Sequence, residues 1–504
     1  MSRRLFIHYS FISVLAFTLM LIAACGKEFN NKVEQTTNSV SSPKKIQTGL
    51  APPQHPKRLI IDNVNVITMD GSQPDVLTNQ RVVVIADKII KIDEASNIAF
   101  ATDDKVIDAK GGYLAPGLID SHVHLRHEPG ASSNIVEIHT SPAQMSIFLQ
   151  QGITTIRSYS GTPNELEWRD KVNTKQWLGT RIISSGPIIS LYETESPFLG
   201  VPHEQFSQEF LGKLSLTWPK TPEEAKREVA KHREIGYDFI KVYSGVTEQI
   251  YTQISEAAKA NKLFLAGHIP DAPMALVLEN HNEIAHLSEI IEGRAIAPEE
   301  MDDETYIDWV ATTMSKNNIS LVFNWSTDEV VTRWDLGEDI YSSDSYNIIP
   351  QPILDAWQQE ERDPNIDPTL HNIALMIVKT LVEEGVAVQV GSDTGDAGSI
   401  PELVHRDMEL MVEAGLTPKQ ALAAATSVPA SVIANITHRP QDRGIIKENY
   451  LADLVLFKQN PLDDIHNIKQ RIGVVIGGHW LSQQQLNEMA NEFAKLPVHY
   501  LELP

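Results

Sequence analysis

Pro116-Gly117-Leu118-Ile119-Asp120-Ser121-His122-Val123-His124-Leu125 is an apolar run that closes on two histidines one residue apart. Alternate residues of a strand point to one face, so a strand here sets both imidazoles on the same side. That suits a pair of metal ligands. The plain alternative is a chance pair of surface or core histidines, and the pair alone does not decide between them. Downstream of it, apolar runs alternate with helical patterns: Leu118–Leu125, Ile153–Ser158, Thr180–Ser185, Asp238–Tyr243, Lys262–His268, Glu283–Leu287, Ser320–Asn324 and Ala387–Ser392 read as strands. Thr221-Pro222-Glu223-Glu224 starts one helix with an N-cap, proline at the first position and early acids, and Thr417-Pro418 starts another. Eight strands alternating with helices predict an α/β fold, a (β/α)8 TIM barrel.

Both flanks of this region read as β. Upstream lie Leu59-Ile60-Ile61, Val64-Asn65-Val66-Ile67 and two runs, Arg81–Ile85 and Lys88–Ile92, around a hairpin turn at Ala86-Asp87. Downstream lie Ala452–Phe457 and Ile472–Gly478. Two connections are too long for plain strand-to-helix loops, 191–220 and 327–368. Loops of that length are lids or disordered segments as a rule, and both follow strands, which puts them at the C-terminal face.

The composition narrows the chemistry. The chain has 504 residues, 42 Lys plus Arg and 66 Asp plus Glu, for a formal charge of −24. That argues against a nucleic-acid partner, which needs a basic face. The lone cysteine, Cys25, excludes disulfides within the chain and thiolate metal sites, so a metal must be held by His, carboxylate or modified Lys. No Gly-x-Ser-x-Gly, Gly-x-x-x-x-Gly-Lys or Gly-x-Gly-x-x-Gly occurs, which disfavours serine hydrolysis and nucleotide binding. At the N-terminus, Arg3 and Arg4 precede a mostly apolar stretch to Ile22, then Ala23-Ala24-Cys25. This reads as a secretory signal, and Ile22-Ala23-Ala24-Cys25 resembles a bacterial lipobox, which implies cleavage before Cys25 and its lipidation. Residues 1–24 are then a signal peptide and 25–56 a lipidated flexible tether. The protein would sit in the bacterial cell envelope, on the periplasmic or cell-surface side, touching membrane through its lipid only.

Four further residues complete a pattern. Lys241 lies in Phe239-Ile240-Lys241-Val242-Tyr243, His268 ends Phe264-Leu265-Ala266-Gly267-His268, His286 lies in Glu283-Ile284-Ala285-His286, and Asp393 in Val390-Gly391-Ser392-Asp393. Singly each has a bland reading: a solvated lysine, a core histidine, an N-cap aspartate. With the His122/His124 pair, on five strand ends in order, the chain resembles the amidohydrolase superfamily, in particular its imidazolonepropionase-related and Xaa-Pro-dipeptidase-like branch. Gly152-Ile153-Thr154-Thr155-Ile156-Arg157 and Glu413-Ala414-Gly415-Leu416-Thr417-Pro418 carry the branch resemblance.

The resemblance implies a barrel at 115–435, a small β-sandwich made from both chain ends at 57–114 and 436–485, and a tail at 486–504. It implies two divalent metal ions, zinc by default. His122, His124 and Asp393 would hold one ion and His268 and His286 the other, with Lys241 shared between them as a CO2-derived carbamate. It implies that a metal-bridging hydroxide attacks an amide, cyclic amide or small-peptide C–N bond, with Asp393 as proton shuttle. Ester, lactone or phosphotriester hydrolysis on the same metals is the alternative, and a surface binding protein without catalysis is the alternative of another class. Tyr243 and His405 are candidate contacts to a small-molecule substrate. Arg126, His127 and Arg157 are placed near the mouth as weaker candidates for an acidic group. A homo-oligomer is left open. Two departures from the branch stand out: Ala285 where a Glu precedes the strand-six histidine, and Val-Tyr-Ser-Gly-Val after Lys241 in place of a Gly-rich run.

Overall fold

The computed structural model describes residues 56–125, 135–137, 142–190, 215–297, 301–359, 362, 367, 369–396, 398–497 and 500–502. Eight short, buried strands form its centre: Leu118–Val123, Ile153–Ser158, Arg181–Ser184, Phe239–Val242, Phe264–Gly267, Glu283–Ala285, Ser320–Val322 and Val388–Gln389, called central strands one to eight. One, two and three pair in parallel, as do four to eight. A parallel bridge between Ser185 and Phe239 joins strand three to strand four. At the other edge, the Ser121 N–H donates to the Val390 carbonyl, the His124 N–H to the Thr394 carbonyl and the Asp393 N–H to the His122 carbonyl. The strands therefore follow one another in the cyclic order that a (β/α)8 barrel requires. Parallel strands buried on both faces read as continuous apolar runs, which is why they stand out in the sequence.

The helices between them are set by their ends. Thr221 accepts the Glu224 N–H and opens Pro222–Ile235, which Gly236 closes at φ 98°. Thr417 and Gln420 form a capping box on Pro418–Ala424.

Both ends of the chain enter one eight-stranded sheet, where a sandwich was expected. Tyr113–Pro116 explains this: it pairs with Arg58–Ile67 on one side and with Leu454–Phe457 on the other. Period-two alternation then sorts its two faces. Leu454, Leu456 and Val475 join Leu59, Ile61 and Val82 in the sheet's own core, whereas Val455, Phe457, Val474 and Ile476 join the core around the central strands.

Two expectations are corrected. Much of 486–504 is not a tail: Gln483–Phe493 is a helix with a Ser482/Gln485 capping box, and it buries Leu486, Ala490 and Phe493 against the helix Met145–Gln150. The 327–368 connection is largely helical, with Trp325–Asp335 and Gln351–Trp357 and two 3-10 turns between them. Its aromatics are core: Tyr341 lies 5.2 Å from Trp334 and 5.2 Å from Tyr346, ring centre to ring centre, and Trp357 is buried. The signal segment, Cys25, most of the tether, Arg126, His127 and residues 191–214 lie outside the described residues. Among the described residues no helix is long and apolar enough to cross a membrane.

Candidate metal centre

The ends of central strands one, four, five, six and eight converge. His122 and His124 both turn their Nε2 atoms to one carboxylate oxygen, Asp393 Oδ1, at 3.3 and 3.2 Å. His286 Nδ1 faces the other oxygen, Oδ2, at 3.8 Å. The rings of His122 and His286 are 4.6 Å apart and those of His268 and His286 4.7 Å. Lys241 is 1% exposed, and its Nζ has no hydrogen-bond partner.

This convergence strains the backbone. His286 at φ 71° and Asp393 at φ 53° are in the left-handed region, which costs a non-glycine residue on the order of 1–3 kcal/mol. Two glycines allow the close approach. A Cβ on Gly267 would come within 2.0 Å of the Val242 carbonyl oxygen, just before His268, and one on Gly391 within 3.0 Å of His122 Cβ.

Supporting groups orient the imidazoles. His124 Nδ1 meets Ser160 Oγ at 2.9 Å. His268 Nδ1 meets Glu289 Oε1 at 2.8 Å, and Glu289 Oε2 accepts the Ile269 N–H at 2.7 Å. Glu289 thus supplies a carboxylate from the helix after strand six, in a chain with Ala285 where the branch has Glu, but it supports His268 and not His286. Tyr159 stacks on His122 at 3.8 Å and 15°, and Lys241 Nζ lies 4.9 Å from its ring centre. The Tyr159 hydroxyl is anchored by Arg157 and Glu283.

Burial dominates the titration of the cluster. It pushes Lys241 down to about 8, against the pull of Asp393 and Glu289. It takes His286 down to about 3 and His122 well below the usual range, so both are neutral and able to ligate. Burial would raise Asp393, but His286, His124 and Lys241 hold it well below the usual carboxylate range.

His122, His286 and Asp393 offer atoms within 4.8 Å of one another, and so do His124, Asp393 and Asp396. Asp393 belongs to both sets. Neutral imidazoles, a carboxylate and the partnerless buried atoms of His122, Lys241 and Asp393 Oδ1 together fit divalent ions.

Tyr243 is brought to this cluster, stacked on His268 at 4.0 Å and 29°. His405 is not. It is fully buried, its Nε2 meets the Gln151 carbonyl at 2.9 Å just before strand two, and Arg471 Nη1 lies 3.4 Å from its Nδ1. Arg157 is corrected too. It lies inside the ring of central strands, paired with Glu283 and donating to Gln389 Oε1 at 2.9 Å, where an acidic substrate group has no access. The sequence reading passed over Glu289, Asp396 and Tyr159. Glu289 sits one helical turn after His286 and Tyr159 two residues after Arg157, so spacing from known candidates was the available signal.

Residues 113–481 match the family model described as Amidohydrolase family. The chain belongs to the amidohydrolase family. Among curated proteins, this amidohydrolase is 24% identical to an ochratoxinase of Aspergillus niger over 394 residues, 70% of this chain and 71% of that one. It is 28% identical to a dihydroorotase of Halalkalibacterium halodurans over 154 residues, a stretch that spans only 31% of that protein. Among solved structures, a Xaa-Pro dipeptidase with bound methionine in the active site aligns at TM-score 0.63 and 21% identity, over 84% of this chain and all of that one. At that identity the likeness shows the fold, a barrel with a β-rich domain, and nothing of the substrate.

Proposed function

We propose that this amidohydrolase is a metal-dependent enzyme that cleaves an amide, cyclic amide or small-peptide C–N bond in a small molecule. The observation that carries the reading is Asp393, whose carboxylate is touched by three imidazoles on two sides while Oδ1 keeps no hydrogen bond. His122, His124, His268, His286 and Asp393 would hold two divalent ions, with Lys241 shared between them as its carbamate. Bound, such ions acidify water and polarise a carbonyl.

The chain's own residues do the rest. Asp393 accepts the proton of the attacking water on its carboxylate and returns it to the departing nitrogen. Glu289 and Ser160 fix which nitrogens of His268 and His124 face inward. Tyr159 and Phe239 close the floor to water, their rings 5.0 Å apart. Tyr243, over His268, is placed to hold a substrate carbonyl or carboxylate. Cys25 would carry a lipid that tethers the enzyme to the cell envelope.

The test is metal analysis of the purified mature chain, then a panel of dipeptides, hydantoin-like cyclic amides and lactones. About two divalent ions per chain and turnover of an amide are expected. A chain that stays metal-free after incubation with zinc and bicarbonate overturns the reading, and turnover of lactones alone replaces the bond.

A further inference from the structure

Central strand seven ends without a metal ligand, yet it is built as tightly as its neighbours. Just past it, the Phe323 N–H donates to the Gln389 carbonyl at 2.8 Å, and its carbonyl accepts the Leu287 N–H at 3.2 Å. Asn324 follows at once, so its backbone sits between the segment that carries His286 and the one that carries Asp393. It adopts φ 46° and precedes the helix Trp325–Asp335, but its side chain makes no cap bond. That role falls to Asp407, from another helix, whose Oδ1 accepts the Ser326 N–H at 2.9 Å. The Asn324 amide is fully buried, and neither its Oδ1 nor its Nδ2 has a hydrogen-bond partner. A buried amide without protein partners is rare in a folded protein.

One turn further on, Asp328 is half-buried. The Thr327 hydroxyl donates to the Ser392 carbonyl at 3.2 Å and holds this turn against the residue before Asp393. Burial, and after it the neighbouring acids Asp393, Glu292, Asp407 and Glu289, push Asp328 up to about 8. Among the described residues neither Asp328 nor Glu292 has an ion-pair partner. A half-buried acid with no ion pair, one helical turn after a buried amide with no partner, is complementary to a positively charged group that can donate several hydrogen bonds.

We propose that Asn324 and Asp328 form a subsite for a protonated amine on the substrate, so that the preferred amides are cationic. The proposal rests on the amide-hydrolase reading above. In it the Asp328 carboxylate and Asn324 Oδ1 each accept one ammonium N–H, which leaves Asn324 Nδ2 free to donate to a substrate oxygen. Asp328 lies outside both candidate donor sets, so its role is separable from offsetting metal charge.

The experiment compares matched substrates that differ in one charge: alanyl-p-nitroanilide against its N-acetyl form, and N-acetylglycyl-lysine against N-acetylglycyl-norleucine. The cationic member of at least one pair should be favoured in kcat/KM by about tenfold or more, the scale of a charge-assisted hydrogen bond. Asp328→Asn should bring that ratio toward one at unchanged metal content, with Asp328→Ser as the second variant if the first does not fold. Equal or inverted preference in both pairs overturns the proposal, and so does an Asp328 variant that keeps the preference or loses metal in step with it. If the metal-loaded protein cleaves none of the four, the amide-hydrolase reading still stands or falls on the wider panel above. The subsite is then judged by alaninamide: a rise in Tm that needs Asp328 upholds it, and no such rise overturns it.

Discussion

Two layers of the same interior treat their polar atoms in opposite ways. In the lower layer, Arg157, Glu283, Gln389, Ser320 and Tyr159 are all buried. Glu283 accepts from Arg157 at 3.0 Å, from Ser320 at 2.8 Å and from Gln389 at 2.5 Å. In the upper layer, a residue or two further along the strands, both nitrogens of His122, the Nζ of Lys241 and Asp393 Oδ1 have no hydrogen-bond partner. A fold that gives both terminal nitrogens of a central guanidinium their partners, and leaves only its Nε without one, could partner a lysine above it. The contrast teaches that the upper layer sets its buried nitrogens and carboxylate to suit a cation and not one another.

The sharpest way to break this contrast is at Lys241. Lys241→Met keeps the length and apolar stem of the side chain but removes the amine. Turnover should fall to background with the far-UV spectrum unchanged, and bicarbonate should not restore it. A variant with wild-type rate and metal content removes any special role from this lysine.

Asp393→Asn comes next. It keeps a good capping side chain, so a purely structural Asp393 predicts a near-silent change. As proton carrier its loss should lower kcat by on the order of 10²–10⁴, measured on protein shown by metal analysis to be at least partly loaded.

The lower layer should answer in stability. Glu283→Gln leaves the Arg157 guanidinium buried without its counter-charge, which typically costs about 3–5 kcal/mol. A chemical denaturation midpoint close to wild type would mean that Gln389 and Tyr159 suffice to hold that charge.

The smallest effect is expected at His405, where a substrate contact was anticipated and a clasp between helix and strand was found. His405→Gln should lower Tm by a few degrees and leave KM unchanged. Burial holds this imidazole well below its ordinary pKa, with Arg471 adding to the effect. The folded protein therefore keeps it neutral, while the unfolded chain protonates it below about 6.5. Its contribution to stability is full above that pH and is lost as pH falls. Denaturation at pH 5 and pH 8 should show a smaller loss on acidification in the variant than in wild type.

These differences also explain what could be read from the sequence. The central strands were legible because burial on both faces makes each a plain apolar run, and the candidate ligands were legible because they end those runs. Arg157 was misplaced because a charge on a strand suggests exposure until its partner is known, and Glu283 is far along the chain. The helix Trp325–Asp335 was missed because Asn324 does not cap it and the acceptor that does, Asp407, belongs to a later helix. The C-terminal helix had its signal in plain view, Ser482 and Gln485 at capping-box spacing, and went unread.

The strand Tyr113–Pro116 leads straight into central strand one, yet one of its two edges is filled by Leu454–Phe457, near the other end of the chain. During synthesis that edge stays bare until Leu454–Phe457 has emerged. Folding of this sheet is therefore a late, long-range event, slow by the measure of contact order and open to strand-edge aggregation meanwhile. A nascent chain stalled before residue 454 would expose the very edge that its own C-terminal part is made to cover.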